Sequence, residues 1–298
     1  MTARPSVERS PSETRGELLR LVREQAGRRR PADLLAQHRR DEFVTPSMLD
    51  QRLVTTLDRL ALESADGFDA VLLSPVSPLG TNSVVAPTSQ DRTVSTTRGS
   101  EVVSDPTNVL ALECANRLLE GPSPRRAPVV RLATVHQTLR AQSLSNDDGA
   151  HSRHFRLFAL AEAGPGLPDD GFEVQAVARQ LQVYDVLFEA CTGALPVVFP
   201  NRRAIMRVDE RGKVLAERVV NRLVEVLPHV DVITEPLESS YYGGLRVGFG
   251  AEGRSGEFVE IADLGRFDWV AQLTSDRRNR FIASGFGIQL VPLLFSVR

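Results

Sequence analysis

The sequence predicts an α+β domain built on a largely antiparallel sheet. β-like runs follow one another with turns between them, above all over the last third of the chain. The helical segments are too few to supply one crossover per strand, which a doubly wound parallel sheet would need. A chain of 298 residues, 42% of them hydrophobic, is also long and apolar enough to bury a large core.

Residues 1–14 are polar and rich in Pro, Ser and Thr, the composition of a disordered tail. The segment 15–30 (RGELLRLVREQAGRRR) reads as a short basic helix closing near Gly27, and 15–45 form a basic helical extension ahead of a core at 46–298. Its arginines suit nucleic acid or a solvated helix face, and a net charge of -2 favours the second. Met48, Leu49, Leu53, Leu57, Leu60 and Ala61 then recur at helical spacing. A strand at 67–76 ends at Pro75, and shorter β-like runs follow at 82–86 and 92–96. A helix is expected over 106–119, with Asp105 as N-cap and Pro106 in its first turn. Strands at 129–141 and 154–164 flank a polar loop. Helices follow at 172–191 and 214–226, and β-like runs at 230–234, 244–249, 258–261 and 281–291 close the chain.

No apolar run is long enough to span a bilayer, and the N-terminus has no apolar signal segment, so a cytoplasmic protein is expected. Cys114 and Cys191 are the only cysteines and sit in apolar stretches, which points to buried free thiols. Lys213 is the only lysine, so a lysine-based covalent mechanism has one candidate.

The most informative segment is the strand–loop–strand over 131–162. Leu139-Arg140-Ala141-Gln142 ends its first strand, and His151-Ser152-Arg153-His154-Phe155 opens its second. It resembles motif 2 of the class II aminoacyl-tRNA synthetases. A guanidinium at a strand end can grip an α-phosphate and a carboxylate together and stabilise charge that builds during adenylation. An aromatic ring on the neighbouring strand gives adenine a flat apolar partner. The resemblance therefore implies Arg140 as catalytic residue and phosphate contact. It implies Gln142 at the motif's glutamate position, His151 at the outer phosphates and Phe155 under the adenine, with ATP and Mg²⁺ as cofactors. A hairpin with a core phenylalanine and a surface arginine fits the same residues.

Three further segments resemble the histidyl branch of that family. Tyr241-Tyr242-Gly243-Gly244 is similar to its YYTG segment, Leu264-Gly265-Arg266-Phe267-Asp268 to its GGGRYD segment, and Gly285-Phe286-Gly287-Ile288-Gln289-Leu290 to the strand opening motif 3. Residues 67–75 resemble motif 1, which implies a homodimer. Ser104-Asp105-Pro106-Thr107-Asn108 falls at the Pro-Glu-Gly-Thr segment that binds the substrate amino group. The implied substrate contacts are Asp105, Tyr241, Tyr242 and Arg266, around a small amino-acid-like ligand. Asp105 can also be the N-cap, and both roles hold only if one carboxylate oxygen faces the pocket.

The pattern also breaks. The motif 3 arginine falls at Pro292, and Leu237 and Leu157 stand where the histidyl family recognises its substrate with Arg and Gln. Asp263 and Leu264 replace two glycines. Losing an arginine opposite a triphosphate costs on the order of 10²- to 10³-fold in rate, unless Arg277, Arg278 or Arg280 substitutes. No anticodon-binding segment follows motif 3, so tRNA charging is not expected. Two functions remain. One is ATP-dependent adenylation of a small amino acid or related acid for an acceptor other than tRNA. The other is a catalytically silent, ligand-sensing subunit resembling the regulatory subunit of ATP phosphoribosyltransferase, which implies a partner enzyme. No metal site is expected, because His151 and His154, three apart on a strand, face opposite sides. The polar stretch 74–107 is long for a plain connection. It is either a pair of edge strands or a wall on which Thr81, Asn82, Arg98 and Glu101 line a small-ligand pocket.

Overall fold

Helix α1 (Pro11–Gly27) begins where Ser10 and Glu13 close a capping box. Its first turn thus starts ahead of the expected boundary at Arg15. In this computed structural model residues 10–121, 129–141, 153–295 and 297 are described. A second helix, α2 (Pro31–Arg40), follows with Asp33 bonded back to Arg30 at its first turn. Helix α3 (Gln51–Ser64) is capped by Asp50 and buries Leu57, Leu60 and Ala61. Met48, expected on that apolar face, precedes the helix and is 99% exposed.

The chain then forms β1 (Asp69–Ala70) and the small hairpin of β2 (Val76–Pro78) with β3 (Ser100–Val102). Between the hairpin strands, the run expected to be β at 82–86 is not, and that at 92–96 is reduced to one bridge, Ser95 with Glu101. Residues Thr81–Val85 make one turn of π-helix, and Gln90–Arg92 one 3₁₀ turn. The cause is Glu101, 1% exposed, whose carboxylate accepts the backbone N–H groups of Gly80 (2.9 Å) and Asn82 (2.7 Å) and the Gln90 amide (2.6 Å). The chain wraps that buried charge, which cannot stay uncompensated inside the fold.

Helix α4 (Pro106–Glu120) leads into the long antiparallel pair β4 (Val130–Leu139) and β5 (His154–Pro165). Then come α5 (Gly171–Ala194), β6 (Arg203–Val208), α6 (Lys213–Val226), β7 (Asp231–Pro236), β8 (Leu245–Glu252), β9 (Phe258–Phe267), α7 (Trp269–Leu273), β10 (Asn279–Phe286) and α8 (Leu290–Leu294). The run expected over 281–291 as one strand breaks at Gly287, where Leu290 turns back to bond the Gly287 carbonyl and α8 begins.

Among the described residues eight strands form one sheet in the order β1-β4-β5-β10-β9-β8-β6-β7, and only the two edge pairs, β1–β4 and β6–β7, are parallel. The α+β expectation with a mostly antiparallel sheet is met. Helices α3, α5 and α6 cover one face over a core that includes Phe158, Leu160, Tyr184, Phe188, Phe249 and Phe286. Helices α4 and α7 cover part of the other, over Leu110, Cys114, Ala161 and Phe281. Both cysteines are buried free thiols; burial pushes Cys191 up to about 12 and Cys114 higher still, so neither is a ready nucleophile. Among the described residues no helix is long and apolar enough to cross a membrane.

One buried group makes the fold sensitive to acid. His136 on β4 is 7% exposed, and its Nε2 has no hydrogen bond. Burial, and then the nearby Arg156 guanidinium, push it below the ordinary imidazole range. The folded state holds this ring neutral, so as pH falls below about 6.5 the unfolded chain takes up a proton that the folded chain refuses. Stability is lost on the way down. His136→Leu removes that difference. In urea titrations, the unfolding free energy of the parent relative to the variant should drop by about 1 kcal/mol between about pH 7.5 and about pH 5.5. A constant difference would show that His136 does not titrate differently in the two states.

Candidate functional site

The sheet face carrying α4 and α7 is left open over β5, β9 and β10, and small residues make the opening deep. Opposed residues on antiparallel neighbours share a face, and the register sets Gly285 beside Asp263 and Ala283 beside Gly265. The resulting hollow is about 520 Å³, lined by these four residues and by Asp105, Arg140, Phe155, Tyr242, Arg246 and Glu260 among others. That volume lies in the range of small-molecule sites. Gly285 has nothing within 4 Å of the place a Cβ would occupy, so it is floor facing open space. Gly265 is required for a different reason. A Cβ there would lie 2.5 Å from the Tyr242 ring, so glycine is what lets that ring lie against the sheet.

Arg140 follows the last residue of β4, and Phe155 stands near the start of β5, so the antiparallel pairing brings them together. The guanidinium lies over the Phe155 ring, 5.0 Å from its centroid. Its Nε donates to the Ser104 carbonyl at 3.0 Å and one Nη to Asp105 Oδ2 at 3.2 Å. Asp105 is the expected N-cap of α4, and its second carboxylate oxygen is taken by Arg140. Its Oδ1 caps α4 by accepting the Thr107 N–H (3.0 Å) and hydroxyl (2.7 Å), while Oδ2 turns to Arg140 on the wall of the hollow.

The other wall is a chain of charge. The Tyr242 hydroxyl donates to Asp263 Oδ2 at 2.6 Å, and Arg246 Nε donates to Asp263 Oδ1 at 2.8 Å. Arg246 also reaches Glu260 at 2.6 Å, and Arg207 reaches the other Glu260 oxygen at 2.8 Å. Burial pushes the Asp263 carboxyl up, and the bonds from Tyr242 and Arg246 pull it back. Burial, and then the Asp263 charge, raise Tyr242 well above an ordinary phenol, which keeps it a neutral donor. Tyr241 packs edge-on against Tyr242, Phe267 and Trp269 and lines the hollow beside Arg140.

The polar stretch holds the β2–β3 strand pair, one of its two expected forms, and also borders a second space. Asn82, Thr88, Ser89 and Arg92 border an annex of about 500 Å³, which shares Asp105, Arg140, Tyr241, Tyr242 and Asp263 with the hollow. Glu101 is instead the internal tether described above, and neither Thr81 nor Arg98 lines either space.

Of the residues singled out in the sequence, Arg140, Phe155, Asp105, Tyr241 and Tyr242 converge on one site. Arg266 does not. It alternates to the α5 face of β9, where it lies 3.7 Å from Glu173 and donates to the Gly243 carbonyl. Gln142 and His151 lie outside the described residues. The arginines proposed to replace the motif 3 group are not there either: Arg280 pairs with Glu173 and Arg278 with Asp276, and neither they nor Arg277 line the hollow. Pro292 sits in α8 and does not line it. Sequence reasoning missed Arg246 and Glu260 as site residues, and noted Asp263 only as a lost glycine. Charged residues inside strands that also carry core positions were the available signal.

No protein-family model matches the sequence, and no curated protein matches it. Solved structures do. An ATP phosphoribosyltransferase regulatory subunit/histidyl-tRNA synthetase from Bacillus halodurans aligns over 84% of this chain and 81% of its own, with a TM-score of 0.58 and 13% identity. A histidine–tRNA ligase subunit from Alicyclobacillus acidocaldarius aligns over 83% of this chain and 95% of its own, with a TM-score of 0.55 and 13% identity. The chain has the class II aminoacyl-tRNA synthetase catalytic-core fold. The same class II core is found in a Giardia lamblia prolyl-tRNA synthetase, at a TM-score of 0.57 and 8% identity, where the match spans 80% of this chain but only 45% of the enzyme. At such identities the likeness is one of fold, and function has to be argued from the site.

Proposed function

We propose that this chain is a ligand-binding module of the class II fold that holds a small amino-acid-like molecule without activating it. The observation that carries this reading is the position of Arg140. Its guanidinium lies over one face of Phe155, the ring that the family resemblance assigns to the adenine, and Ser104 and Asp105 hold it there. A nucleotide would have to displace a stacked, hydrogen-bonded cation, and among the described residues no arginine from the motif 3 region lines the hollow to replace what was lost. The remaining walls suit a small zwitterion. Arg140 and Arg246 can face a carboxylate, and Asp105, Asp263 and Glu260 can face an amine. By analogy with the Bacillus halodurans protein, this reading extends to a regulatory role beside a partner enzyme. Homodimerisation through the segment resembling motif 1 belongs to the same reading, and Leu72 in that segment is exposed.

The second reading is ATP- and Mg²⁺-dependent adenylation for a non-tRNA acceptor. It is favoured by one observation, that Arg140 and Phe155 share the hollow. In it Arg140 swings off the ring to take the phosphate and Phe155 receives the adenine.

A thermal-shift panel of the amino acids, with and without Mg-ATP, separates the two, since binding to the native state raises the melting temperature. The expected result is a shift with at least one amino acid that ATP does not alter, with no pyrophosphate exchange and a dimer mass by light scattering. Exchange with any acid would establish the second reading, and a flat panel would remove both.

A further inference from the structure

The annex has a charge balance that the proposed function does not use. Each of its two carboxylates already has an arginine within the chain, Asp105 with Arg140 and Asp263 with Arg246. Arg92 has no such partner. It is half-buried on the annex wall, and its guanidinium makes no hydrogen bond or ion pair among the described residues. The neighbouring Asp91 is exposed, bonds Ser89 and does not line the annex.

Asn108, in the first turn of α4, also lines the annex and is 2% exposed. Its carboxamide oxygen is approached by the Thr107 hydroxyl at 3.5 Å, and its amide nitrogen donates to nothing among the described residues. Buried amides are ordinarily paired, so a donor left over on a cavity wall is available to whatever fills the cavity.

The wall is preorganised. The Asn82 amide nitrogen donates to Thr88 Oγ1 (2.7 Å) and the Ser89 carbonyl (3.0 Å), and Asn82 Oδ1 accepts from Ser104 (3.0 Å). The Arg92 carbonyl accepts the Ala141 N–H at 2.9 Å, which ties this segment to the end of β4 beside Arg140. Little further ordering is needed when a ligand enters.

We propose that the annex is an anion subsite, in which Arg92 and the Asn108 amide hold a carboxylate or phosphate at the far end of a ligand whose other end lies in the main hollow. This rests on the reading of the hollow as a ligand site. The positive end of the 15-residue helix α4 adds to the field at Asn108. A ligand with a neutral far end leaves the Arg92 charge half-desolvated and unmatched, so the subsite selects by charge as well as by fit.

Calorimetric titration of the full chain with matched pairs tests this. L-glutamate is set against L-glutamine, and O-phospho-L-serine against L-serine. The anionic member of at least one pair should bind tighter by roughly tenfold or more, and the pair that shows it distinguishes carboxylate from phosphate. In Arg92→Gln the affinity ratio within that pair should collapse towards one, and Asn108→Ala should reduce it. Melting temperatures of both variants confirm that they are folded. Equal affinities within both pairs, or a preference that persists in Arg92→Gln, overturn the subsite and leave the hollow as a ligand site. Binding confined to other, uncharged amino acids does the same, whereas no binding by any amino acid removes the subsite and the proposed function together.

Discussion

Replacing Gly285 with valine is expected to weaken ligand binding by about tenfold to a hundredfold while leaving the melting temperature unchanged or slightly raised. The position is a floor residue of the hollow in the middle of β10, and a Cβ there meets nothing within 4 Å. The added methyl groups therefore occupy space a ligand would use instead of striking the fold. Filling a fitted space costs about 1–3 kcal/mol, which sets the range of affinity loss. Valine also suits a strand better than glycine, whose extra backbone freedom is lost on folding. Binding and stability thus move apart, which a merely destabilising substitution cannot do. Gly285→Ala should give a smaller loss in the same direction. Unchanged binding in the valine variant, measured by calorimetry against the best amino acid of the panel, would place the ligand elsewhere.

Phe188→Ala should cost about 3–5 kcal/mol of stability. The ring is wholly buried on α5 at the centre of an aromatic cluster, stacked on Phe199 at 4.1 Å and on Phe249 at 5.4 Å, with Phe286 and Phe295 tilted against it. These rings come from α5, β8, β10 and the ends of the chain segments beside them, so one cavity loosens several elements at once. Arg202 also lies over the ring at 5.4 Å and would lose that contact. The loss is large against the 5–15 kcal/mol total usual for a domain, so urea midpoints should fall sharply. Phe188→Leu, which keeps much of the volume, should cost less than half as much. A loss under about 1 kcal/mol for the alanine variant would mean that the cluster closes over the gap.

The way Arg140 and Arg266 part company shows what kind of statement a sequence can support. Both were candidates on motif resemblance. Arg140 directly follows a strand whose antiparallel partner carries the motif's aromatic as its second residue, so the pairing brings it to Phe155. Arg266 depends on which side of β9 faces the hollow, and a one-residue alternation sends it to Glu173 instead. Arg246 and Glu260 belong to the same lesson. They are separated in sequence and meet because β8 pairs with β9, which places both against Asp263 or its neighbours. The π-turn at Thr81–Val85 was missed because its cause, Glu101, lies on the next strand of a hairpin and acts through a buried carboxylate.

The sequence by itself determined the α+β class, most of the main helices and strands and the Asp105 cap, because these depend on local periodicity and capping chemistry; for Arg140 and Phe155 it offered a motif resemblance. Only the tertiary structure decided that Arg140 rests on the Phe155 ring, that Tyr242, Asp263, Arg246 and Glu260 form one linked wall, and that Arg92 and Asn108 face an annex with their charge and amide unspent. Such features depend on which faces of distant strands and loops are brought together. Burial then fixes which polar groups must find partners within the chain and which are left for a ligand.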